Sequence, residues 1–365
     1  MISPFEAPGL AGQPVLVPQF AITVEGIPLP TSLASACSSI SVNQSANEPA
    51  SFQLGLHDPQ FLLIDLANGL FSEGRRIGIA LGYAGALLPM IEGEIAAIEV
   101  TLDESGGLSL SVEGFDDLHR GSRGKQSRTF QEGLSDSAIV REVVASTGLL
   151  SVAVADETPP RSAAEAQSEE TTLAFLQRLA TRNGFQLWSE NRSLFFMRRR
   201  PGPALRFSRG RNLVSFSARL STAGQAAAVE VRSWNAARQE LITATATAKL
   251  SPTYLSALSS TGLAQVIGAA GGWGASPHNL VIHAQAEVNS ISEAQAMAER
   301  EMTDIRRQLI TATGSVVGDP QVRVGSVVLL EGMGRFSPGP YVVQTTGHRL
   351  DASGYLTSFS LRSDL

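Results

Sequence analysis

The chain has 365 residues, 43% of them hydrophobic and 17% charged, which is typical of a folded protein with roughly two to four domains. Its net charge of −6 disfavours general binding to the phosphate backbone of nucleic acids, and its single cysteine, Cys37, excludes an internal disulfide framework. No apolar run reaches the roughly 18 residues of a membrane helix, and no basic leader opens the chain. We therefore expect a protein made in the cytoplasm, with no signal peptide or membrane anchor.

The first third of the chain is predicted to be rich in β-strands. Short runs with partial apolar alternation favour strands. A turn at 103–107 has a physical basis, because Gly tolerates positive φ and Asp bonds its own backbone. This spacing indicates a small barrel or sandwich. The predicted strands lie at 20–25, 38–43, 50–56, 75–83, 91–102 and 108–112.

Two helices and a hairpin are predicted in the middle of the chain. Ser135 is a suitable N-cap for the first helix and Gly148 a suitable stop. Thr171 caps the second helix and Gly184 ends it. A β-hairpin at 185–197 completes an α+β insert. The second helix has leucines at helical spacing, namely Leu173, Leu176 and Leu179.

The last segment returns to strands. A stretch rich in Ala, Ser, Thr and Gly at 243–274 resembles a linker and has no assigned role. A helix follows, with Ser292 as its predicted N-cap and with Ile305 and Leu309 on its apolar side. The predicted strands lie at 205–207, 213–220, 226–236, 322–330, 341–349 and 356–361.

The two β-rich regions resemble each other. Residues 102–108 and 350–356 are identical at five of seven positions, and glycines precede the flanking strands in the same order. Either two unrelated hairpins share good turn chemistry, or one β module is duplicated; three matching elements in order favour duplication. The strand-opening glycines are Gly74 and Gly93 in one copy and Gly325 and Gly339 in the other, and the turn residues are Asp103 and Gly106 in one copy and Asp351, Gly354 and Tyr355 in the other.

These patterns predict a mixed, mostly β fold, with two similar small β-barrels and an α+β insert between them. The predicted divisions are an N-terminal arm at 1–18, a first β-barrel at 19–116, the insert at 117–203, and a second β-barrel at 204–365 with a helix and a linker-like insertion at about 243–280. Because closed homo-oligomers are symmetric, three such chains present six similar units around one axis. We expect an adaptor between a three-fold and a six-fold object.

Five stretches carry a resemblance to one known family. They lie at 70–95, 113–120, 166–185, 318–325 and 348–355. They resemble the phage late control protein D family of tail hubs and the hub part of VgrG-type spike proteins of contractile injection systems. The most specific stretch is 166–185, where a Gln and acidic residues precede an amphipathic helix; its leading positions are Gln167 and Glu169.

The resemblance implies a structural baseplate hub, a homotrimer with a pseudo-six-fold ring. An inner tube protein stacks on one face, a spike protein attaches at the other, and other baseplate subunits surround it. The chain lacks the oligonucleotide/oligosaccharide-binding barrel and β-helix of fused spikes, so the spike is expected to be a separate polypeptide. The hub is expected to act inside an assembled particle. Whether that particle is a phage, an R-type bacteriocin or an extracellular injection system stays open.

The sequence predicts no catalytic, cofactor or metal residues. The glycines around Trp273 lack a neighbouring basic residue, so a phosphate loop is disfavoured. Cys37 is expected to be a small buried hydrophobe rather than a nucleophile. The basic run 198–200 is expected at solvent or an interface. The histidines show no compact metal spacing: His57, His119, His278, His283 and His348.

Two acidic groups allow an alternative. Asp116 and Asp117, near His119, are either an acid–base site or capping residues after a strand, and we favour capping. The second group is either the carboxylate pair of a cell-wall hydrolase or a match to a helix dipole, which we favour. The alternative functions are therefore a tail-associated cell-wall hydrolase and a carbohydrate-binding β module, although only 6% of the residues are aromatic. The second group consists of Glu165, Glu169 and Glu170.

Overall fold

The structure is a computed structural model. It describes residues 17–57, 69–102, 107–148, 150, 152–190, 192–198, 202–221, 226, 228–235, 239–247, 280–283, 288, 290–337 and 339–363. Strands dominate these ranges, which confirms the predicted mixed, mostly β fold. No helix in the described part of the chain is long and apolar enough to cross a bilayer.

The first module comprises the seven strands from 18 to 116. In β-strands alternate side chains point to one face, and here one face of each strand is buried. In the fourth strand, for example, Phe52, Leu54 and Leu56 are at most 2% exposed. The elements are β1 (Pro18–Val24), β2 (Ile27–Pro28), α1 (Thr31–Ala34), β3 (Cys37–Ser45), β4 (Ser51–His57), β5 (Arg76–Tyr83), β6 (Ala86–Leu102) and β7 (Leu108–Asp116).

The insert contains both predicted helices and the predicted hairpin. The Ser135 and Thr171 hydroxyls accept the backbone N–H groups of residues three positions on, at 3.2 and 3.1 Å, and glycines with positive φ end both helices. After a 3₁₀ turn at Asp117–Ser122 come β8 (Lys125–Phe130), α2 (Asp136–Thr147), β9 (Val152–Ala155), β10 (Glu165–Thr171), α3 (Thr172–Asn183), β11 (Gln186–Glu190) and β12 (Ser193–Met197). Three of these strands, β8, β9 and β10, were not predicted.

The remainder of the chain holds the second module and a smaller unit within it. The second module comprises β13, β14 and β18 to β21, and the smaller unit comprises β15 to β17 and α4. The elements are β13 (Leu205–Ser208), β14 (Leu213–Leu220), β15 (Ala228–Asn235), β16 (Glu240–Thr247), β17 (Leu280–His283), α4 (Ile291–Arg307), β18 (Ile310–Val317), β19 (Val327–Glu331), β20 (Pro340–Asp351) and β21 (Gly354–Ser363).

The smaller unit corrects two predictions. Residues 243–247 belong to β16, which pairs with β15, so this part of the predicted linker is a strand; residues 248–279 lie outside the described residues. The N-cap of α4 is Ser290 and not Ser292, because the Ser290 hydroxyl accepts the Glu293 N–H at 3.2 Å. Ile305 packs on this unit as expected, whereas Leu309 follows the helix and is buried in the second module.

One continuous sheet of thirteen strands joins the two modules. Antiparallel pairing of β3 with β20 makes the connection. Each module nevertheless keeps its own hydrophobic core. Among the described strands of each module, the pairings run in one series from one outer strand to the other, without a pairing between the two outer strands.

The two modules share one strand order. The first runs β1-β5-β6-β7-β4-β3 and the second β13-β19-β20-β21-β18-β14. Only the outer pairing differs, since β1 is antiparallel to β5 and β13 is parallel to β19. The predicted duplication is therefore confirmed in topology.

Local irregularities repeat at matching positions. The β3–β4 register shifts between Cys37 and Ser39, and the β14–β18 register between Leu213 and Ser215. A second shift follows Ile95 in β6 and Val343 in β20. A β-bulge bends and twists its strand, so both modules have the same curvature devices.

The glycines before the inner strands also match. Gly74 has φ of 81° and Gly325 has φ of 83°, and both lie in a region that only glycine adopts easily. The Gly74 N–H donates to the Ile95 carbonyl at 2.8 Å, and the Gly325 N–H donates to the Val343 carbonyl at 2.9 Å. These two glycines are therefore counterparts, as the sequence predicted.

The hairpin after the bulge corrects the alignment of the two copies. Leu102 pairs with Leu108, but Leu350 pairs with Tyr355. The second turn is thus one residue shorter. The counterpart of Leu108 is consequently Tyr355 and not Leu356, which agrees with burial: Leu108 is 5% exposed, Tyr355 6% and Leu356 39%.

The predicted match between Gly93 and Gly339 is also wrong. Gly93 lies two residues before Ile95, and Tyr341 lies two residues before Val343, so these two residues are counterparts. A side chain at Gly93 would meet the Phe115 carbonyl oxygen 2.0 Å from its Cβ. The glycine is needed for close strand approach, not to open the strand.

Candidate assembly interface

The joint between the modules is a buried strand pair. Pairing runs from Ser39 opposite Asp351 to Ser45 opposite Thr345. On the inner face Val42 lies opposite His348, and both are 0% exposed. The two modules are therefore held together by strand hydrogen bonds and by a sealed inner face.

His348 is a polar side chain at the centre of this joint. Its Nε2 donates to the Val322 carbonyl oxygen at 2.9 Å, since a carbonyl only accepts. Its Nδ1 then has one lone pair to accept a hydrogen bond, and the hydroxyls of Tyr355 and Thr357 lie 2.9 Å and 3.1 Å from it. Burial lowers the pKa of His348 to about 4, so the ring is neutral at pH 7.

Side chains outside the strands reinforce the joint. The Tyr83 hydroxyl of the first module donates to the Gly318 carbonyl of the second at 2.7 Å, and its ring lies 6.0 Å from that of Tyr355. The Arg323 guanidinium of the second module donates to the Pro89 carbonyl of the first. These contacts span more than 200 residues of sequence and fix the two modules relative to each other.

The insert is attached to the first module through Asn47. The Asn47 side-chain oxygen accepts the Leu187 N–H at 2.8 Å, and its carbonyl accepts from the Gln177 amide at 2.7 Å. A second attachment is the paired hydrogen bond from Arg76 to Asp117, at 2.8 and 3.1 Å. The contacts of Asn47 thereby position helix α3 and the β11–β12 hairpin against the first module.

A cavity of about 500 Å³ lies where the two modules and the insert meet. Burial raises the pKa of Asp116, one of its lining residues, to about 7. The same carboxylate caps the 3₁₀ turn by accepting the Leu118 N–H at 3.1 Å. The capping interpretation of Asp116 is therefore confirmed, and Asp117 is held by Arg76.

The acidic group before α3 is ion-paired. Glu165 is 5% exposed and lies within 2.9 Å of three arginines. Burial alone raises the pKa of Glu165, but hydrogen bonds from Arg178 and Arg182 bring it below its usual range. Such a carboxylate stays ionised, whereas a glycosidase acid needs a raised pKa. The three arginines are Arg161, Arg178 and Arg182.

The other two members of this group directly precede the N-cap of α3. Glu170 pairs with Arg178 at 2.6 Å, and no acidic residue lies in the first turn of α3. Glu169 is exposed, with φ of 49°, where the β8–β10 register shifts. Glu165 and Glu170 are therefore held by arginines, and the match of this group to the helix dipole stays a prediction.

The predicted helix motif forms the core of the insert. Leu173, Leu176 and Leu179 are buried, the last two completely. Gln167 is 1% exposed, and its amide donates to the Glu170 carbonyl at 3.0 Å. The motif is a packing and locking device within the insert, with Gly184 as the C-cap of its helix.

The turn motif is described only in the second copy. The Asp351 carboxylate accepts the Ser353 N–H at 2.8 Å, and the hydrogen bonds from Ser353 lower its pKa to about 2. Gly354 follows with φ of 117°. Asp103 and Gly106 of the first copy lie outside the described residues.

The remaining chemical candidates have structural surroundings. Burial raises the pKa of Cys37 to about 11, so its thiol is a poor nucleophile at neutral pH. His119 stacks on Phe115, with 4.4 Å between ring centres. Arg198 is exposed, and its backbone N–H donates to the Asp156 carboxylate at 2.9 Å. Arg199, Arg200 and His278 lie outside the described residues.

Among the open strand edges of the described sheet are those of β6 at 97–102 and of β14, and neither was predicted. Beyond Glu94, β6 pairs with β7 only, so one edge of 97–102 has no described strand beside it. β14 ends the sheet, with β18 on its other side. The signal in the sequence was the alternation of apolar residues at 98, 100 and 102, because an alternating strand normally buries one face. In the structure Val100 and Leu102 are nevertheless 42% and 67% exposed.

Solved structures with this fold come from phage tails. The 43 kDa tail protein of prophage MuSo2 from Shewanella oneidensis is 16% identical with a TM-score of 0.69, over 94% of this chain and 98% of that chain. A tail protein from Neisseria meningitidis MC58 is 13% identical with a TM-score of 0.66, over 95% and 97%. These likenesses establish a shared fold.

A bacterial secretion component shares the fold as well. The E. coli c3393 protein, a type VI secretion system component with structural similarity to the T4 bacteriophage tail proteins gp27 and gp5, is 11% identical with a TM-score of 0.57, over 94% of this chain and 76% of that chain. The same fold therefore occurs in phage tail proteins and in a type VI secretion component.

The chain belongs to the protein family described as the Alg8 N-terminal domain, which matches residues 15–351. No curated protein matches the chain by sequence.

Proposed function

We propose that this chain is the structural baseplate hub of a contractile phage-tail-like particle. The observation that carries the proposal is the duplicated module, since one chain holds two copies of a six-stranded arrangement joined through β3 and β20. Three chains then present six similar modules around one axis. Such a ring fits a hexameric inner tube on one face and a separate trimeric spike on the other.

The same proposal places the chain with late control protein D and VgrG-type hubs. The shared fold of tail and secretion proteins supports it, and so does the insert, where the motif at 166–185 builds the core and attaches to Asn47. It includes the division at 19–116, 117–203 and 204–365. It also locates the protein inside the assembled particle, beside other baseplate subunits.

In this proposal the chain is not an enzyme and carries no cofactor. Its most distinctive polar groups have structural partners: Glu165 is held by arginines and His348 by Val322, Tyr355 and Thr357. A glycan-binding platform gains no support from Trp188, which stacks on a neighbouring phenylalanine with 4.9 Å between ring centres.

The test is the molecular mass of the purified full-length chain. Light scattering over a range of concentrations is expected to give three chain masses, and averaged images are expected to show three-fold symmetry with six similar densities. A monomer at the highest concentration, or a two-fold particle, contradicts the proposal. Clearing of cell walls that is lost in Glu169→Gln, Glu170→Gln protein would instead establish a hydrolase.

A further inference from the structure

The β3–β20 strand pair between the modules has a counterpart that is not formed within the chain. The counterpart of β3 is β14, because both carry the same bulge and lie beside counterpart strands. The counterpart of β20 is β6, by the same criterion. Within the chain β3 pairs with β20. β14 and the open edge of β6 therefore have the geometry of a second joint of the same kind.

We propose that β14 of one copy of this chain pairs antiparallel with residues 97–102 of β6 in a second copy. The proposal rests on the proposed hub, because a ring of three chains needs one such joint between each pair of neighbours. Transferring the β3–β20 register places Ala97 opposite Ser221, Glu99 opposite Arg219 and Thr101 opposite Ser217.

The inner face of this joint is apolar on both strands. Residues of even number lie on this face in both strands, and residues of odd number face outward. The β14 side chains on this face already pack partly on the second core. The new joint would extend both cores across the boundary between copies. The opposed inner pairs are Ile98 with Leu220, Val100 with Ala218, and Leu102 with Phe216.

Exposure distinguishes the open joint from the formed one. His348 occupies the position that corresponds to Val100 and is 0% exposed, because β3 covers it. Val100 is 42% exposed and Leu102 67%. A second copy that seats β14 there removes this apolar surface from water, which favours association.

Charge fits the same register. Glu99 and Arg219 are both exposed, and neither makes an ion pair with another side chain in the described part of the chain. The transferred register brings them directly opposite each other on the outer face. Opposite charges at directly opposed positions stabilise an antiparallel pair, and like charges destabilise it. The register is thus selected by chemistry as well as by geometry.

Disulfide cross-linking tests the register in the full-length chain. Directly opposed Cα atoms lie about 4.5–5.5 Å apart, within reach of a disulfide. A chain with Thr101→Cys, Ser217→Cys and Cys37→Ser is expected to form covalent dimers and trimers under mild oxidation, on a denaturing gel without reductant. The matched control replaces Ala97 instead of Thr101, which moves one cysteine about 13 Å along the strand, and it is expected to stay monomeric on the gel.

The outcomes separate this joint from the hub itself. A particle that is trimeric by mass but gives no cross-link through Thr101 and Ser217, or cross-links equally through Ala97, overturns the joint and leaves the hub standing. A chain that is monomeric by mass and gives no cross-link overturns both. Specific cross-linking in a trimer establishes the joint.

Charge exchange provides a second measurement. Glu99→Arg or Arg219→Glu alone is expected to raise the half-dissociation concentration of the trimer about tenfold, because each places like charges opposite each other. The combined exchange is expected to restore it. Glu113→Arg, on the exposed face of the neighbouring strand β7, is the control and is expected to leave it unchanged. Failure of the double exchange to restore association overturns the register.

Discussion

The two modules share their strand order and bulge positions but fill their cores with different side chains. In the first module the Phe52 ring lies over Gly114, which is directly opposite on the next strand. In the second module Phe359 lies over Gly314, again directly opposite. The two pairs occupy neighbouring inward positions rather than the same one. Bulges and strand order are retained, while the core fills the same space with different residues.

A second difference lies at the joint. His348 is a buried, fully bonded polar group in the second module, whereas its counterpart Val100 is exposed. The strand order is common to the two modules, and the side chains differ between the edge that is covered within the chain and the edge that is exposed.

The largest expected effect comes from adding a side chain at Gly114, which lies under the aromatic ring of Phe52. A Cβ at Gly114 would lie 2.1 Å from the Glu94 carbonyl oxygen and 2.4 Å from the Phe52 ring. Gly114→Val is therefore expected to lower the free energy of unfolding by at least about 3 kcal/mol in urea titration. Gly202→Val, where nothing lies within 4 Å of a Cβ, is the matched control. A Gly114→Val change below about 1 kcal/mol would show that the two cores do not depend on these pairs.

Copying one module into the other sharpens this test. The positions of Phe52 and Gly114 correspond to Ala312 and Leu361. Phe52→Ala combined with Gly114→Leu is expected to be more stable than Gly114→Leu alone, because the ring contact is relieved. Rescue should be partial, since the backbone contact to Glu94 remains.

The pH dependence of stability is the next effect in size. His348 has a folded-state pKa of about 4, below its ordinary 6.5, so the unfolded state binds a proton that the folded state does not. Its contribution to stability is fully present above pH 6.5 and is lost as pH falls towards 4, by about 3 kcal/mol. Chemical denaturation at pH 4 to 7 measures this slope.

His348→Val, which copies Val100, is expected to remove that slope. It should also be less stable at pH 7, because the Val322 carbonyl and the Tyr355 hydroxyl lose their partner. Asp116 acts in the opposite sense: its pKa is raised to about 7, so its contribution is lost as pH rises. Both proteins retain Asp116, so the difference between them isolates His348. Equal slopes in the two proteins would contradict the buried, neutral histidine.

The smallest expected effect separates the two counterpart glycines. Gly74→Ala is expected to cost about 1 kcal/mol, because alanine is strained at positive φ. Gly325→Ala is expected to cost about 2 kcal/mol, because its Cβ also lies 2.9 Å from the Gln186 amide of the insert, whereas nothing lies within 4 Å at Gly74. In a Gln186→Ala background the two costs should become equal. A persistent difference would place its origin elsewhere.

Features set by local chemistry were predictable from the sequence. Both insert helices begin and end at the predicted residues, because Ser135, Thr171, Gly148 and Gly184 act on their own neighbours. Strand β10 was missed for a physical reason: its buried positions Glu165 and Gln167 are polar, so apolar alternation is absent. The burial of Glu165 depends on arginines contributed from other elements.

Features set by distant partners were not predictable in detail. The duplication was visible in the two similar turns. The sequence alignment assumed turns of equal length and therefore matched Leu108 with Leu356. The second turn is one residue shorter, so the counterpart of Leu108 is Tyr355. A slip of one residue exchanges the two faces of a strand. The open edges of β6 and β14 depend on which strands pair across the whole chain. The N-cap of α4 was within reach, since Ser290 has Glu293 three residues on.

The single charges on the open edges have a consequence for the newly made chain. Unpaired strand edges can pair with the edges of other chains, and such contacts produce fibres when they propagate without closing into a ring. Two β14 edges that meet about a two-fold axis at Arg219 place arginine against arginine, and two β6 edges centred on Glu99 place glutamate against glutamate. The like charges therefore repel, which disfavours pairing of two β14 edges or of two β6 edges.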